Sequence, residues 1–145
     1  MTFRVNGQEL AVDIMAVREI RAWTEPTPLP HSASHVRGVI NLRGVVLPVV
    51  DLACRLGWDQ RELTPKHVVI VLSIHGELQG IIVDAVSDIL SVRKEDFQHV
   101  ADADYNDGQD LIEGIATTDT GMVTLLNLEK LSLHGKRRDA DRLAA

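Results

Sequence analysis

Two β-branched runs joined by a short polar turn, in VRGVINLRGVVLPVVDL at residues 36–52, constrain this chain more than any other stretch. Val39-Ile40 and Val45-Val46-Leu47 suit a pleated, half-buried surface, and Asn41-Leu42-Arg43-Gly44 between them supplies turn residues. The stretch therefore reads as a β-hairpin. Pro48 has no N–H to give a ladder, which places it at an edge or bulge of the second strand. Asp51 can cap a helical turn over Leu52-Ala53-Cys54-Arg55-Leu56, and Gly57 can close it. Arg43, between apolar strands, is at this level a solvated charge.

The remaining apolar runs are short and strand-like. Asn6-Gly7 favours a tight hairpin between residues 3–5 and 9–14, and Val17-Arg18-Glu19-Ile20 alternates with period two. Residues 24–30 hold three prolines and form an extended connector, after which Ser32 can open a helical turn. His67-Val68-Val69-Ile70-Val71-Leu72-Ser73-Ile74 is almost continuously apolar, as expected of a strand covered on both faces. Residues 77–90 are again strand-like, residues 99–110 are an acidic loop, and residues 111–115 and 122–126 pair as a last hairpin. Asn127 caps a final helical turn, closed by Gly135.

The two halves echo each other. Glu9-Leu10, Val12-Asp13, Val17 and Glu19-Ile20 resemble Glu77-Leu78, Val83-Asp84, Val86 and Asp88-Ile89. Gly38-Val39-Ile40 and Gly44-Val45-Val46 resemble Gly114-Ile115-Ala116 and Gly121-Met122-Val123, and Asp51-Leu52 resembles Asn127-Leu128. The expected fold is all-β, with two pseudo-symmetric five-stranded barrel lobes sharing an apolar interface and carrying short helical turns. A single domain is expected over residues 1–135. Its interleaved lobes fall at roughly residues 14–66 and 67–135, with the opening strands open to either, and residues 136–145 form a charged tail.

Composition narrows the function. The chain has 145 residues, 45% hydrophobic but only 3% aromatic, so its core is aliphatic. A net charge of −6 disfavours nucleic acid, and the one basic cluster, Lys136-Arg137-Arg138, is diluted by Asp139 and Asp141. A single cysteine, Cys54, rules out an internal disulfide and suits a reducing cytoplasm. No run approaches the ~20 apolar residues of a membrane span, and no signal-peptide core opens the chain, so no membrane insertion is expected.

Catalytic signals are thin. Asp119-Thr120-Gly121 is the tripeptide of aspartic proteases, which need two such carboxylates and hence a dimer; a hairpin turn explains it more simply. Asp102, Asp104, Asn106 and Glu113 match four positions of a calcium loop, but the required glycine is Asp107. His31 and His35 have helical spacing without a completing ligand, so no metal is expected. Asp13, Asp51 and Asp84 suit turns or caps, and Cys54 suits a small core position. No phosphate-binding glycine loop or nucleophile elbow occurs. The chain is therefore expected to lack catalysis and cofactors. Val17, Ile20, Val39, Val86 and Ile89 are either core residues or a binding patch, and Glu19 and Arg43 could pair beside that patch.

VRGVINLRGVVLPVVDL closely resembles the signature of the CheW family of bacterial chemotaxis coupling proteins. The match continues through ELAVDIMAVREI, VVIVL, GIIVDAVSDIL and LLNLEKL. The resemblance implies two five-stranded SH3-like barrels with an apolar core between them and no catalysis. It also implies an adaptor between the cytoplasmic tips of chemoreceptors and the regulatory domain of the histidine kinase CheA. Such an adaptor is cytoplasmic, recruited to the inner face of the membrane through receptors, and can self-associate in arrays. The receptor-facing positions it implies here are Gly38, Val39, Arg43, Val17, Glu19, Ile20, Val86 and Ile89, and the kinase-facing one is Gly80. A charge at Gly38 is then expected to block receptor binding with the fold intact. The alternatives are an adaptor of a twitching or developmental kinase array, and a dimeric aspartic hydrolase built on Asp119.

Overall fold

Short strands separated by glycine-containing turns dominate the computed structural model, which describes residues 1–30, 35–58, 62–87, 93–98, 111–119 and 121–131. In chain order they are β1 (Thr2–Val5), β2 (Gln8–Ala11), β3 (Val17–Ala22), β4 (Val36–Leu42) and β5 (Val45–Asp51), followed by helix α1 (Leu52–Arg55). Then come β6 (Val68–Ile74), β7 (Glu77–Val83), β8 (Ala85–Val86), β9 (Ile112–Thr118), β10 (Gly121–Leu126) and helix α2 (Leu128–Leu131). The strands form two five-stranded sheets, ordered β8-β1-β2-β10-β9 and β3-β6-β7-β5-β4. We call these lobe A and lobe B.

The two sheets have the same plan. In each, a tight hairpin (β1-β2 or β6-β7) pairs in parallel with the second strand of another hairpin (β10 or β5). The fifth strand, β8 or β3, lies antiparallel on the outer side of the first hairpin. Lobe membership does not divide at residues 66 and 67. Strands β6 and β7 complete lobe B with β3, β4 and β5, while β1 and β2 complete lobe A with β8, β9 and β10. Each lobe thus borrows its central hairpin from the other half of the chain, a long-range choice that local patterning does not encode.

The pseudo-symmetry also fixes the repeat register. Phe3 stands between Leu10 and Val86 as Leu72 stands between Gln79 and Val17. Leu10 therefore corresponds to Gln79, and Asn6-Gly7 to His75-Gly76, which moves the pairing of Glu9-Leu10 with Glu77-Leu78 by one residue. Across the β9-β10 turn Gly121 pairs with Thr118, as Val45 pairs with Leu42. Gly121 is thus the counterpart of Val45 rather than Gly44, and Asp119 is the counterpart of Arg43.

Strand β6 explains how two lobes share a core. Ile70, Leu72 and Ile74 on one face join Phe3, Val5, Leu10, Val12, Leu111, Leu126 and Leu131 of lobe A in one buried cluster. Val69 and Val71 on the other face join Ile40, Leu42, Leu47, Val49 and Ile82 inside lobe B. The smaller interior of lobe A contains Ala11, Val123 and Leu125. The expected apolar interface is thus the larger of the cores, and β6 is covered on both faces. Each barrel is closed by a crossing segment. Thr27 exchanges two 2.9 Å backbone hydrogen bonds with Val39 of β4, and Gln98 bridges Ile115 of β9 in the same way at 2.8 and 2.9 Å.

Candidate functional site

The tip of the β4-β5 hairpin is a two-residue turn with both central residues at positive φ, Arg43 at 51° and Gly44 at 88°. Asn41, two residues earlier, supports it by accepting the Gly44 N–H on its Oδ1 at 2.8 Å. The left-handed position is thus occupied by arginine, where asparagine or glycine would be less strained. From this tip the Arg43 guanidinium reaches Glu19 of β3, with Nη2 2.5 Å from Oε2. Glu19 accepts a second contact at 3.1 Å from Arg21. Strands β3 and β4 are the two edges of the lobe B sheet, so the Arg43–Glu19 pair spans the mouth of the barrel. The Arg43 side chain is 73% exposed, so the pair contributes about 0–1 kcal/mol to stability.

Val17, Ile20 and Val86 lie on the side of their sheets that faces the core shared by the lobes. Val17 of β3 and Val86 of β8 are pseudo-equivalent, and both pack half-buried against the shared core. Ile20 sits opposite Ile70, a shared-core residue, so it lies on the same face of the sheet. It is 50% exposed, an apolar side chain at the open margin of that core. Val45 and Val46 beside the Arg43 turn are also exposed; sequence patterning put them in a strand but could not tell that their faces were uncovered. Ile89 lies outside the described residues.

Gly38 and Gly80 do not face solvent. Gly38 has φ 144°, and a Cβ there would stand 2.1 Å from the Thr27 carbonyl oxygen. Its bareness lets the connector cross β4 and close the barrel. A charge at Gly38 would displace that crossing, so the expectation of an intact fold is withdrawn. Gly114 plays the same part beneath Gln98, at 2.8 Å. Val39 is half-buried next to the crossing. Gly80 is buried in lobe B, where a Cβ would meet Val69 at 3.1 Å and Val49 at 3.4 Å. It is a packing glycine with no surface to offer a kinase.

The acidic candidates have local roles. Asp13 accepts from the Met15 N–H, Asp51 from the Ala53 N–H, and Asp84 from the Asn6 N–H. Asp119 lies exposed in the β9-β10 turn. Glu113 is half-buried in β9, while Asp102, Asp104 and Asn106 lie outside the described residues, as do His31, Ser32, Gly135 and the tail at 136–145. His35 is half-buried before β4, and its carbonyl accepts the Asp51 N–H. Cys54 is half-buried in α1 rather than in the core. Among the described residues no cluster of His, Cys, Asp and Glu has metal-binding geometry.

Two barrel-like lobes on one shared core, with an exposed apolar side chain on the same edge strand as the partner of an ion-paired hairpin tip, define a two-lobed β-barrel protein whose candidate site is a surface. The CheW-like domain family model matches residues 1–134. The chain belongs to the CheW-like family. It is 45% identical over 131 residues to "Chemotaxis protein CheW" of Rhizobium meliloti (strain 1021), covering 90% of this chain and 84% of that one. It is 32% identical to "Chemotaxis protein CheW" of Bacillus subtilis (strain 168), covering 88% and 81%. Among solved structures it resembles the scaffolding protein TtCheW from Thermoanaerobacter tengcongensis, with a TM-score of 0.78 and 28% identity over 87% and 86% of the two chains.

Proposed function

We propose that this protein is a non-catalytic adaptor that couples the cytoplasmic tips of chemoreceptors to the regulatory domain of the histidine kinase CheA within signalling arrays. The observation that carries the reading is an exposed apolar side chain, Ile20, on the edge strand β3 that also presents Glu19, the partner of Arg43. An exposed apolar side chain on one face of the edge strand and a directional ion pair on the other suit a partner helix laid along that edge, where burial gives affinity and the charges set orientation. Relatives named as chemotaxis proteins, and a structural neighbour named as a scaffolding protein, favour this array over a twitching or developmental one. The receptor-facing set is Val17, Glu19, Ile20, Arg43 and Val86, with Val39 at its rim. The protein works in the cytoplasm, recruited to the membrane through receptors, and self-association extends the array. No described helix is long and apolar enough to cross a membrane.

A pull-down with the kinase regulatory domain and a receptor signalling tip, offered separately and together, tests this. A ternary complex is expected. Failure to retain either partner would remove the coupling function.

A further inference from the structure

Gln79 is a buried polar residue in an apolar place. It is 1% exposed, and it pairs across β6-β7 with Leu72 of the shared core. Its counterpart in lobe A is Leu10, itself a member of that core and paired with Phe3. The sheet plan therefore accepts an apolar side chain at this position, and a buried amide there needs a reason of its own.

One partner of that amide lies in α2. Gln79 Nε2 donates to the Leu131 carbonyl at 3.1 Å, and Arg55 Nη2 donates to the Lys130 carbonyl at 3.3 Å. His75 Nε2 stands 3.5 Å from a Glu129 carboxylate oxygen. Helix ends leave carbonyls that need donors. In the pseudo-equivalent α1 the N–H groups of Leu56, Gly57 and Trp58 return to Leu52, Cys54 and Ala53, and none of the contacts named there crosses to the other lobe. Helix α2 follows β10 of lobe A, yet Gln79 and His75 come from the β6-β7 hairpin of lobe B and Arg55 from the helix behind β5. The described carbonyls of Lys130 and Leu131 are thus held by donors from across the lobe boundary.

We infer that Gln79 is a positioning residue: it clasps α2 to lobe B, fixes the relative orientation of the two lobes, and so sets where Val17 and Ile20 of lobe B stand relative to Val86 of lobe A. The part concerning partner binding rests on the adaptor reading above. The clasp itself does not. An apolar contact at this position would be equally buried but non-directional, whereas a hydrogen bond to one carbonyl selects one arrangement.

The test uses the full chain with Gln79→Leu, the residue its counterpart already carries. Gln79→Met gives a second, unbranched replacement of similar length should leucine not fit. Spin labels at Val46 and Met122, exposed and on different lobes, report the interlobe distance in a Cys54→Ala background. Amide exchange of α2 and affinity for an isolated receptor signalling tip are measured in parallel. Expected are a folded protein with a thermal midpoint close to the parent, α2 exchange at least tenfold faster, a broadened interlobe distance, and tip affinity lowered about tenfold. An unchanged distance distribution and unchanged α2 exchange would overturn the clasp. A broadened distance with undiminished tip affinity would overturn its link to partner binding. If the parent chain itself fails to bind the tip, the adaptor reading falls, while the distance and exchange measurements still decide the clasp.

Discussion

Arg43 stands in the left-handed region at φ 51°, where an arginine side chain costs on the order of 1 kcal/mol relative to glycine. Its counterpart Asp119 in lobe A shows that the hairpin does not require arginine. Strain kept for a solvent-exposed pair that adds little stability points to use by a partner. Arg43→Ala is therefore expected to lower receptor-tip affinity about tenfold while leaving the thermal midpoint within a few degrees. Arg43→Asn should raise stability by about 0.5–1 kcal/mol and still lose affinity. Calorimetry and a binding titration on the same samples check both; a stability loss beyond about 2 kcal/mol in the alanine variant would make Arg43 structural. Gly38 behaves oppositely. With the Thr27 oxygen 2.1 Å from where its Cβ would be, Gly38→Ala should cost more than about 2 kcal/mol in denaturant unfolding.

At the scale of elements, the two short helices show how the repeat can be used. Asp51 and Asn127 occupy equivalent positions at the starts of α1 and α2, where Asp51 accepts one backbone N–H and Asn127 two. Asp51 is fully buried, and among the described residues its Oδ2 has no hydrogen-bond partner. A carboxylate is costlier to bury half-satisfied than an amide. Asp51→Asn should thus match or exceed the parent in thermal stability, whereas Asp51→Ala, which removes the cap, should lose about 1 kcal/mol. A clear loss in the asparagine variant would mean that the charge at Asp51 is itself needed.

On the whole-molecule scale the shared core decides cooperativity. Because Phe3, Leu10, Ile70, Leu72 and Ile81 lie in one cluster, neither lobe can lose its packing without exposing the other. A single heat-absorption peak is expected, and two resolved transitions would refute the coupling. Ile70→Ala should cost about 2–5 kcal/mol and lower the midpoint of the whole molecule rather than of lobe B alone.

Most strands, the hairpin turns, the caps at Asp51 and Asn127 and the existence of a two-lobe repeat, though not its register or the lobe boundaries, followed from the sequence alone. Each rests on local chemistry: β-branched runs, Asn-Gly and Arg-Gly turns, carboxylate or amide groups before a helical turn, and apolar residues on both faces of β6. Four things needed the tertiary structure. The β6-β7 hairpin joins lobe B, Gly80 points into a core, Gly38 makes room for a crossing connector, and Gln79 reaches the end of α2. All four depend on which distant strands pair and in what register. A one-residue slip in register exchanges the two faces of a strand, so the outward or inward sense of a residue such as Ile20 or Gln79 is settled only when its neighbours in space are fixed. The turn-aligned repeat, setting Asn6-Gly7 on His75-Gly76, carried the one sequence signal that could have flagged Gln79 against Leu10.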